Sequence, residues 1–228
     1  MPATCAIVGI GGLGAPATAL LATLGGCDLR LIDDDCVENS NLPRQPLFGN
    51  QDLGTPKAQT AARHIKASQD RSEMPPGEVE FCATRLSEAN VSDLLAGVAV
   101  VVDGSDNLAT KRLLNRWCCQ ANVPLIHAGA VGWEGQLTTI LPGRSACLEC
   151  LFPDLAEESA AGSCDQDGIL GPVVGAIGLA AAREAHACLE GNPPPLAGRF
   201  GILNGRTLMW RSIAISRRPN CPACGQLA

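Results

Sequence analysis

The sequence predicts a doubly wound, mostly parallel α/β sheet that continues into a smaller antiparallel extension. Three observations carry this. The apolar run Thr4–Ile10 passes straight into the glycine-rich turn Gly9-Ile10-Gly11-Gly12-Leu13-Gly14 and then into an alanine-rich stretch. Strand-like and helix-like segments alternate from there to Ala128, the pattern of a parallel sheet covered by helices on both faces. Two CxxC pairs, Cys147/Cys150 and Cys221/Cys224, tie the segment beyond the alternation to the C-terminal tail.

In order along the chain, Thr4–Ile10 reads as a buried strand, Leu13–Leu24 as a helix and Asp28–Ile32 as a second strand, one βαβ unit. Asp33–Gly54 is polar and long, and such segments inside compact domains usually carry function. Thr55–Gln69 reads as a helix with Pro56 in its first turn, where a missing N–H is harmless. Next come Glu78–Ala83 (strand), Ser87–Leu95 (helix), Val98–Asp103 (strand), Asn107–Ala121 (helix) and Pro124–Ala128 (strand). Beyond Gly129 the pattern changes. Gly135–Leu141 reads as an antiparallel strand, Asp154–Gly168 as a polar loop, and Val173–Leu189 as a helix that could serve as interface or core. Pro193–Pro195 marks a turn, and Arg199–Leu203 with Thr207–Ser216 a closing hairpin.

At 228 residues and 46% hydrophobic, the chain can bury one sizeable core, which argues for a single main domain. Aromatics make up 3% with no Tyr, so that core is built from Ala, Val, Ile and Leu, as parallel sheets favour. A net charge of −6 and a pI near 5.1 weigh against a nucleic-acid footprint. With no basic leader and no uncharged run of about 18 apolar residues, a soluble, cytoplasmic protein without membrane attachment is expected. Of twelve cysteines, Cys5, Cys27, Cys118, Cys119 and Cys188 lie in apolar stretches and read as small packing hydrophobes rather than disulfide partners.

A GxGxxG turn between a strand and a helix offers backbone N–H groups and a helix N-terminus to phosphates. Asp33, at the end of the second strand, stands where such folds bind a ribose. Those two features alone suit a nicotinamide dinucleotide as well as any other nucleotide. Arg44 and Lys57 break the tie. A dehydrogenase has no need of them at this edge, whereas an enzyme moving charge onto pyrophosphate does. The fourth strand ends in Asp103-Gly104-Ser105-Asp106-Asn107, where a carboxylate could hold magnesium against phosphates, or Asp106 could cap the following helix, or both.

The CxxC pairs suit a closed four-thiolate zinc site that pins the last hairpin and contributes to folding directly. Cys164 lies in a polar loop beside Asp165 and Asp167, whose charges would raise a thiol pKa. His64, His127 and His186 share no ligand spacing; His127, ending a strand at the carboxyl edge, could face the site or be a satisfied buried imidazole. Lys111-Arg112 and Arg217-Arg218 read as solvated faces.

The glycine turn, the segment from Asp33 through Ser40-Asn41-Leu42-Pro43-Arg44-Gln45, Lys57 after Gly54-Thr55-Pro56, the Gly104–Asn107 turn, Cys147–Pro153, Cys164 before Gly168–Gly175, and the final Cys221-Pro222-Ala223-Cys224 occur in the order of the ThiF/MoeB/HesA family. The sequence resembles these bacterial relatives of ubiquitin-activating enzymes along nearly its whole length. Ala130–Leu137 and Trp210–Ala214 look closest to the ThiF branch.

The resemblance implies a Rossmann-like nucleotide-binding part over 1–130 and a zinc-clamped extension over 131–228 with a crossover loop and a carrier-docking sheet. It implies that ATP adenylylates the C-terminal glycine carboxylate of a small ubiquitin-like sulfur carrier protein, releasing pyrophosphate, for thiamine or related cofactor synthesis. By motif, Gly9, Gly11, Gly12 and Gly14 cradle ATP, Asp33 and Asp35 hold the ribose side, Asn41, Arg44 and Lys57 contact phosphates, and Asp106 helps to place Mg2+. Cys147, Cys150, Cys221 and Cys224 hold Zn2+, and Cys164 is the crossover cysteine that can engage the activated carrier through sulfur. A homodimer and a separate sulfur donor protein are also implied, and Arg217-Arg218 could guide an acidic carrier. Family members place a helix before the first strand that supplies an Arg to the second subunit's ATP, and this sequence starts its first strand almost at once. An arginine supplied in this way is worth about 10³–10⁵ in rate in other phosphoryl-transfer enzymes. That departure leaves a catalytically weak carrier-binding scaffold as the second reading, ahead of a nicotinamide dehydrogenase.

Overall fold

The computed structural model describes residues 2–69, 76–153 and 168–226. Its centre is an eight-stranded sheet in the order β3-β2-β1-β4-β5-β6-β7-β8. The strands are β1 Ala3–Val8, β2 Cys27–Ile32, β3 Val79–Cys82, β4 Val98–Asp103, β5 Leu125–Val131, β6 Glu134–Ile140, β7 Arg199–Asn204 and β8 Met209–Ala214. The first five run parallel and the last three continue the sheet antiparallel. The helices are α1 Gly14–Leu24, α2 Lys57–Gln69, α3 Val91–Leu94, α4 Leu108–Ala121, α5 Leu148–Leu151 and α6 Gly171–Leu189. Because the strand order reverses between β1 and β4, their carboxyl ends open the crevice in which ligands of such sheets bind.

Alternation along each strand sorts the core into two layers. Cys5 and Ile7 point to the side of α1, α2 and α6, joined there by Leu29, Leu31, Ile126 and Leu137. Ala6 and Val8 point to the side of α3, α4 and α5, with Val101, Leu125 and Ile140. A fully buried aliphatic side chain such as Ile7 contributes roughly 1.5–3 kcal/mol over its exposed state. Helix α6 is a core element, burying Val173, Val174, Ile177, Ala181, Ala182 and Ala185. Gly178 on α6 lies against the Leu13 carbonyl and Pro16, and an added Cβ would strike both, so α6 can sit on α1 only with glycine there.

Several expectations need correction. The helix expected over Ser87–Leu95 shrinks to the single turn α3, and the Asn90 side chain, accepting from the Ser87 N–H (2.8 Å) and donating to the Arg85 carbonyl (3.0 Å), holds the turn that leads into it. The loop after β2 is ordered by 3-10 turns at Asn39–Arg44 and Asn50–Asp52. Fully buried Asp52 anchors it, accepting from the Gly49 N–H (2.9 Å), Arg63 (2.6 Å) and His64 (3.0 Å). Lys111, Arg217 and Arg218 do not form solvated faces: Lys111 pairs with Asp103, and both arginines turn inward to carbonyls around the cysteine cluster. The expected polar loop at 154–168 falls, but for Gly168, outside the described residues.

Candidate active site

The glycine turn forms where β1 stops. Gly9 has φ +85°, a conformation that favours glycine, and its N–H donates to the Ile32 carbonyl (2.8 Å). A Cβ on Gly9 would stand 2.8 Å from Gly104 C and Ser105 N, so this close approach presses the turn after β1 against the turn after β4. Gly14 lies so near the Gly9 carbonyl that a Cβ would overlap it. The Ile10 N–H donates to Asp33 Oδ2 (2.5 Å), and Asp33 Oδ1 accepts from the Asp35 N–H (2.8 Å). Burial pushes the Asp33 carboxyl up, and those two N–H groups with Lys57 work against that rise.

Around this turn the long loop brings its polar side chains. Lys57, buried at the start of α2, donates through Nζ to Asp35 Oδ2 (2.8 Å), and its N–H donates to the Asp35 carbonyl (2.8 Å). Arg44 is half-buried and donates to the Ser40 carbonyl (2.9 Å), while its own carbonyl oxygen would lie 3.5 Å from a Cβ on Gly12. Asn41 is buried and caps its own turn, accepting from the Glu38 N–H (3.3 Å). Gln45 is 2% exposed with its Nε2 beside Gly11, and its Oε1 has no hydrogen-bond partner. A buried acceptor left open beside a phosphate-type turn costs about 1–3 kcal/mol unless a ligand or water answers it.

At the end of β4 the two acidic residues divide. Asp103 is fully buried. Its Oδ1 accepts from the Ser105 N–H (3.1 Å) and hydroxyl (2.6 Å), and its Oδ2 accepts from Lys111 Nζ (3.1 Å) and His127 Nδ1 (2.9 Å). Burial alone would push the Asp103 carboxyl up, but the Lys111 ammonium, the His127 hydrogen bond and Ser105 outweigh it and hold the group at about 2. Burial and the Lys111 charge keep the His127 imidazole below its usual range, against the pull of Asp103, so it is neutral at pH 7. Asp106 is exposed and does not cap α4. Asn107 does, accepting from the Thr110 N–H (2.9 Å), which leaves the Asp106 carboxylate at the crevice edge without that task.

The four cysteines form a separate buried cluster whose ligand atoms all lie within 4.8 Å of one another. Cys147 and Cys221 sulfurs are 3.6 Å apart, Cys150 and Cys224 3.4 Å, and Cys147 and Cys150 3.9 Å. Four thiolates at about 2.3 Å from a tetrahedral zinc would stand about 3.8 Å apart, so the donor set fits a metal ion. Neighbouring groups fix the position of the four side chains. The Arg218 N–H donates to Cys150 Sγ (3.3 Å), and the Arg218 and Arg217 side chains reach the Glu149 and Cys224 carbonyls (2.6 and 2.7 Å). Asn115 accepts from the Leu148 N–H (2.9 Å), and Arg116 pairs with buried Glu149 (2.7 Å), fixing α5 to α4.

The structure therefore brings Gly9, Gly11, Gly12, Gly14, Asp33, Asp35 and Lys57 around one turn, with the Arg44 backbone beside Gly12 and the Gly104–Ser105 turn packed against Gly9, while the Arg44 and Asn41 side chains bond within their own 3-10 turn. Cys164 lies outside the described residues. Sequence reasoning assigned no role to Gln45, Ser105 or Lys111. The usable signals were weak: Gln45 directly follows Arg44, and Lys111 stands one helical turn past the cap of α4, on the side that faces the β4 end.

Compared with known proteins, the chain matches the ThiF family over residues 2–223. It is 40% identical over 220 residues to the sulfur carrier protein ThiS adenylyltransferase of Escherichia coli, spanning 96% of this chain and 84% of that protein. It is 38% identical over 220 residues to the SAMP-activating enzyme E1 of Haloferax volcanii, spanning 96% and 79%. Escherichia coli MccB, solved with MccA-N7isoASN, superposes with a TM-score of 0.83 over 98% of this chain and 67% of that one; at 23% identity this likeness concerns the fold alone.

Proposed function

The chain belongs to the ThiF family, and from that premise we propose that it is an ATP-dependent adenylyltransferase acting on the C-terminal glycine carboxylate of a small ubiquitin-like sulfur carrier protein. The observation that carries this reading is the packing of the glycine turn between two cation-bearing segments and the β4 carboxyl end, around a buried acceptor, Gln45 Oε1, that lacks a partner.

In this reading Gly9, Gly11, Gly12 and Gly14 let the backbone approach ATP, and Asp33 with Asp35 takes the ribose. Lys57 exchanges Asp35 for phosphate oxygens, and Asn41 and Arg44 hold the same chain of phosphates. The carrier carboxylate attacks the α-phosphorus, a new C–O–P bond forms, and the bond to the bridging oxygen breaks with its electron pair leaving on pyrophosphate. No proton moves in this step, so the chain's contribution is alignment and neutralisation of charge. Mg2+, held with help from Asp106, would supply further neutralisation of the phosphates. The four cysteines are proposed to hold zinc, which closes the C-terminal hairpin and has no open position for chemistry.

Cys164 belongs to the same proposal as the thiol that displaces AMP from the activated carrier, with the thiol proton released. Homodimerisation, a separate sulfur donor and a cytoplasmic setting complete it; among the described residues no helix is long and apolar enough to cross a membrane. Mass spectrometry of recombinant carriers ending in Gly-Gly, incubated with ATP, Mg2+ and the protein, tests the core of the reading. An acyl-adenylate and carrier-dependent ATP–pyrophosphate exchange are expected, and carrier binding without either would leave a scaffold instead. In a Cys164→Ala variant, exchange should persist while sulfur transfer stops; unchanged transfer removes the cysteine from the reaction.

A further inference from the structure

Helix α2 and the edge strand β3 leave a groove on the face of the sheet opposite the cysteine clamp. β3 pairs only with β2, so Phe81 has a strand neighbour on one side alone. Its register partner Leu31 is fully buried on the face that α2 covers, and Val79, two residues earlier on that face, is buried as well. Phe81 itself stays 44% exposed. Across the groove α2 presents Gln59, Arg63 and Lys66, all exposed and spaced four and three residues apart, so they share one helical face. With Thr55 and Pro56 at the entry to α2, these residues line a cavity of about 430 Å3. Pockets for small molecules run from about 300 to 1,000 Å3.

The lining has a definite chemistry. It contains two cations, one aromatic ring and no carboxylate, in a chain whose net charge is −6. Arg63 and Lys66 stand one helical turn apart, where like charges repel. Arg63 Nη2 donates to buried Asp52 (2.6 Å), which fixes the guanidinium in place, while the side chain remains 62% exposed with further N–H groups to offer. Lys66 has no ion-pair partner among the described residues. An anion between the two would relieve their repulsion, and a flat ring laid on Phe81 would cover its open face. An anion alone leaves the ring bare, and a neutral ring leaves the cations unanswered.

The entry to α2 is held firmly. The Thr55 hydroxyl donates to the Asp52 carbonyl (2.5 Å) and meets the Thr60 hydroxyl (2.7 Å), and Pro56 leads directly into Lys57, which turns to Asp35. We propose that this groove is a second binding site, for a small aromatic anion that carries a phosphate or carboxylate on a planar ring, set on the outer side of the segment that holds Lys57. The site stands apart from the adenylyltransferase reading and does not depend on it.

Phenyl phosphate is the probe, titrated calorimetrically into the full chain beside inorganic phosphate and benzyl alcohol. It should bind at least tenfold more tightly than either half of itself. Phe81→Leu, which keeps the bulk and removes the ring, should raise its Kd about fivefold, and Lys66→Ala about threefold, the worth of an exposed ion pair. Both side chains are exposed, so melting should not change. Arg44→Ala, which alters the crevice instead, should leave the Kd as it was. No saturable binding overturns the proposal, as does phenyl phosphate held no more tightly than phosphate, a cationic patch only, or than benzyl alcohol, an apolar patch only. Binding weakened by Arg44→Ala but not by Phe81→Leu or Lys66→Ala would put the probe in the crevice and overturn it too.

Discussion

The cysteine clamp and the glycine turn differ in where their charged groups find partners. At the clamp the surroundings are answered from within the protein: the Cys150 sulfur has the Arg218 N–H, the Cys224 and Glu149 carbonyls have Arg217 and Arg218, and the Glu149 carboxylate has Arg116. At the glycine turn the Gln45 acceptor is open, Lys57 is held by an aspartate whose side chain is 63% exposed, and Asp106 is relieved of capping by Asn107. Neither place satisfies every buried polar atom, since Arg218 Nε and Asn115 Nδ2 beside the clamp also lack a partner; what separates the two is that the charged groups of the clamp meet partners inside the protein, whereas Lys57 and Asp106 stand at a side open to a ligand.

Substitutions at the two places should therefore fail in different ways. The largest effect belongs to the clamp. Cys221→Ser, or removal of metal by a strong chelator, should lower stability by several kcal/mol and unpin the β7–β8 hairpin, measured by thermal melting and hydrogen exchange beside metal analysis. A stable metal-free protein would break the comparison on that side. Next, Arg44→Ala and Asp106→Ala should each reduce carrier-dependent exchange by about 10²–10³-fold with melting unchanged, because the charges act on the reacting phosphates rather than the fold. A matching loss of stability would place these residues with the clamp.

Acid sharpens the comparison further through the Asp103 group, which belongs structurally to the fold but borders the site. Its carboxyl, held at about 2 against an ordinary value near 3.8, contributes stability that is fully present above pH 4 and lost as pH falls toward 2. His127, depressed below its ordinary value, adds an earlier loss as pH falls below about 6.5, where the unfolded imidazole takes up a proton that the buried one refuses. Melting followed against pH should therefore decline in two stages. His127→Asn should remove the first, and a single-stage decline in the unaltered protein would contradict the neutral, Asp103-bound imidazole. The smallest effect is expected from Asn107→Ala. Loss of the α4 cap should lower stability by about 1 kcal/mol in denaturant unfolding, and no change would mean that Asp106 takes over the cap.

Much of this was legible in one dimension. The strand–glycine–helix junction, the β/α alternation and the two CxxC pairs survive as β1–α1, the parallel half of the sheet and the buried cluster. The misses share a cause. Ser87–Leu95 has a helical pattern, but the residues before Val91 close as a turn whose side-chain bonds reach back to Arg85, a contact the pattern does not carry. Lys111, Arg217 and Arg218 look like surface charges because charge runs usually are, and each turns inward only because a distant partner waits: Asp103, and the carbonyls of Gly143, Glu149 and Cys224. Gln45 had only its place directly after Arg44 to distinguish it from any loop amide until the glycine turn was folded beside it.

By itself the amino-acid order settled what kind of segments this protein has and which residues end them, since periodicity, glycine and capping chemistry act over a few positions. Folding decided the pairings. Which carboxylate at the end of β4 is buried and which is left for the crevice, and which cation meets it, depends on the sheet order and on how closely Gly9 lets β4 approach. Those contacts join residues tens of positions apart, and their strength comes from burial and distance, which exist only once the sheet has closed around them.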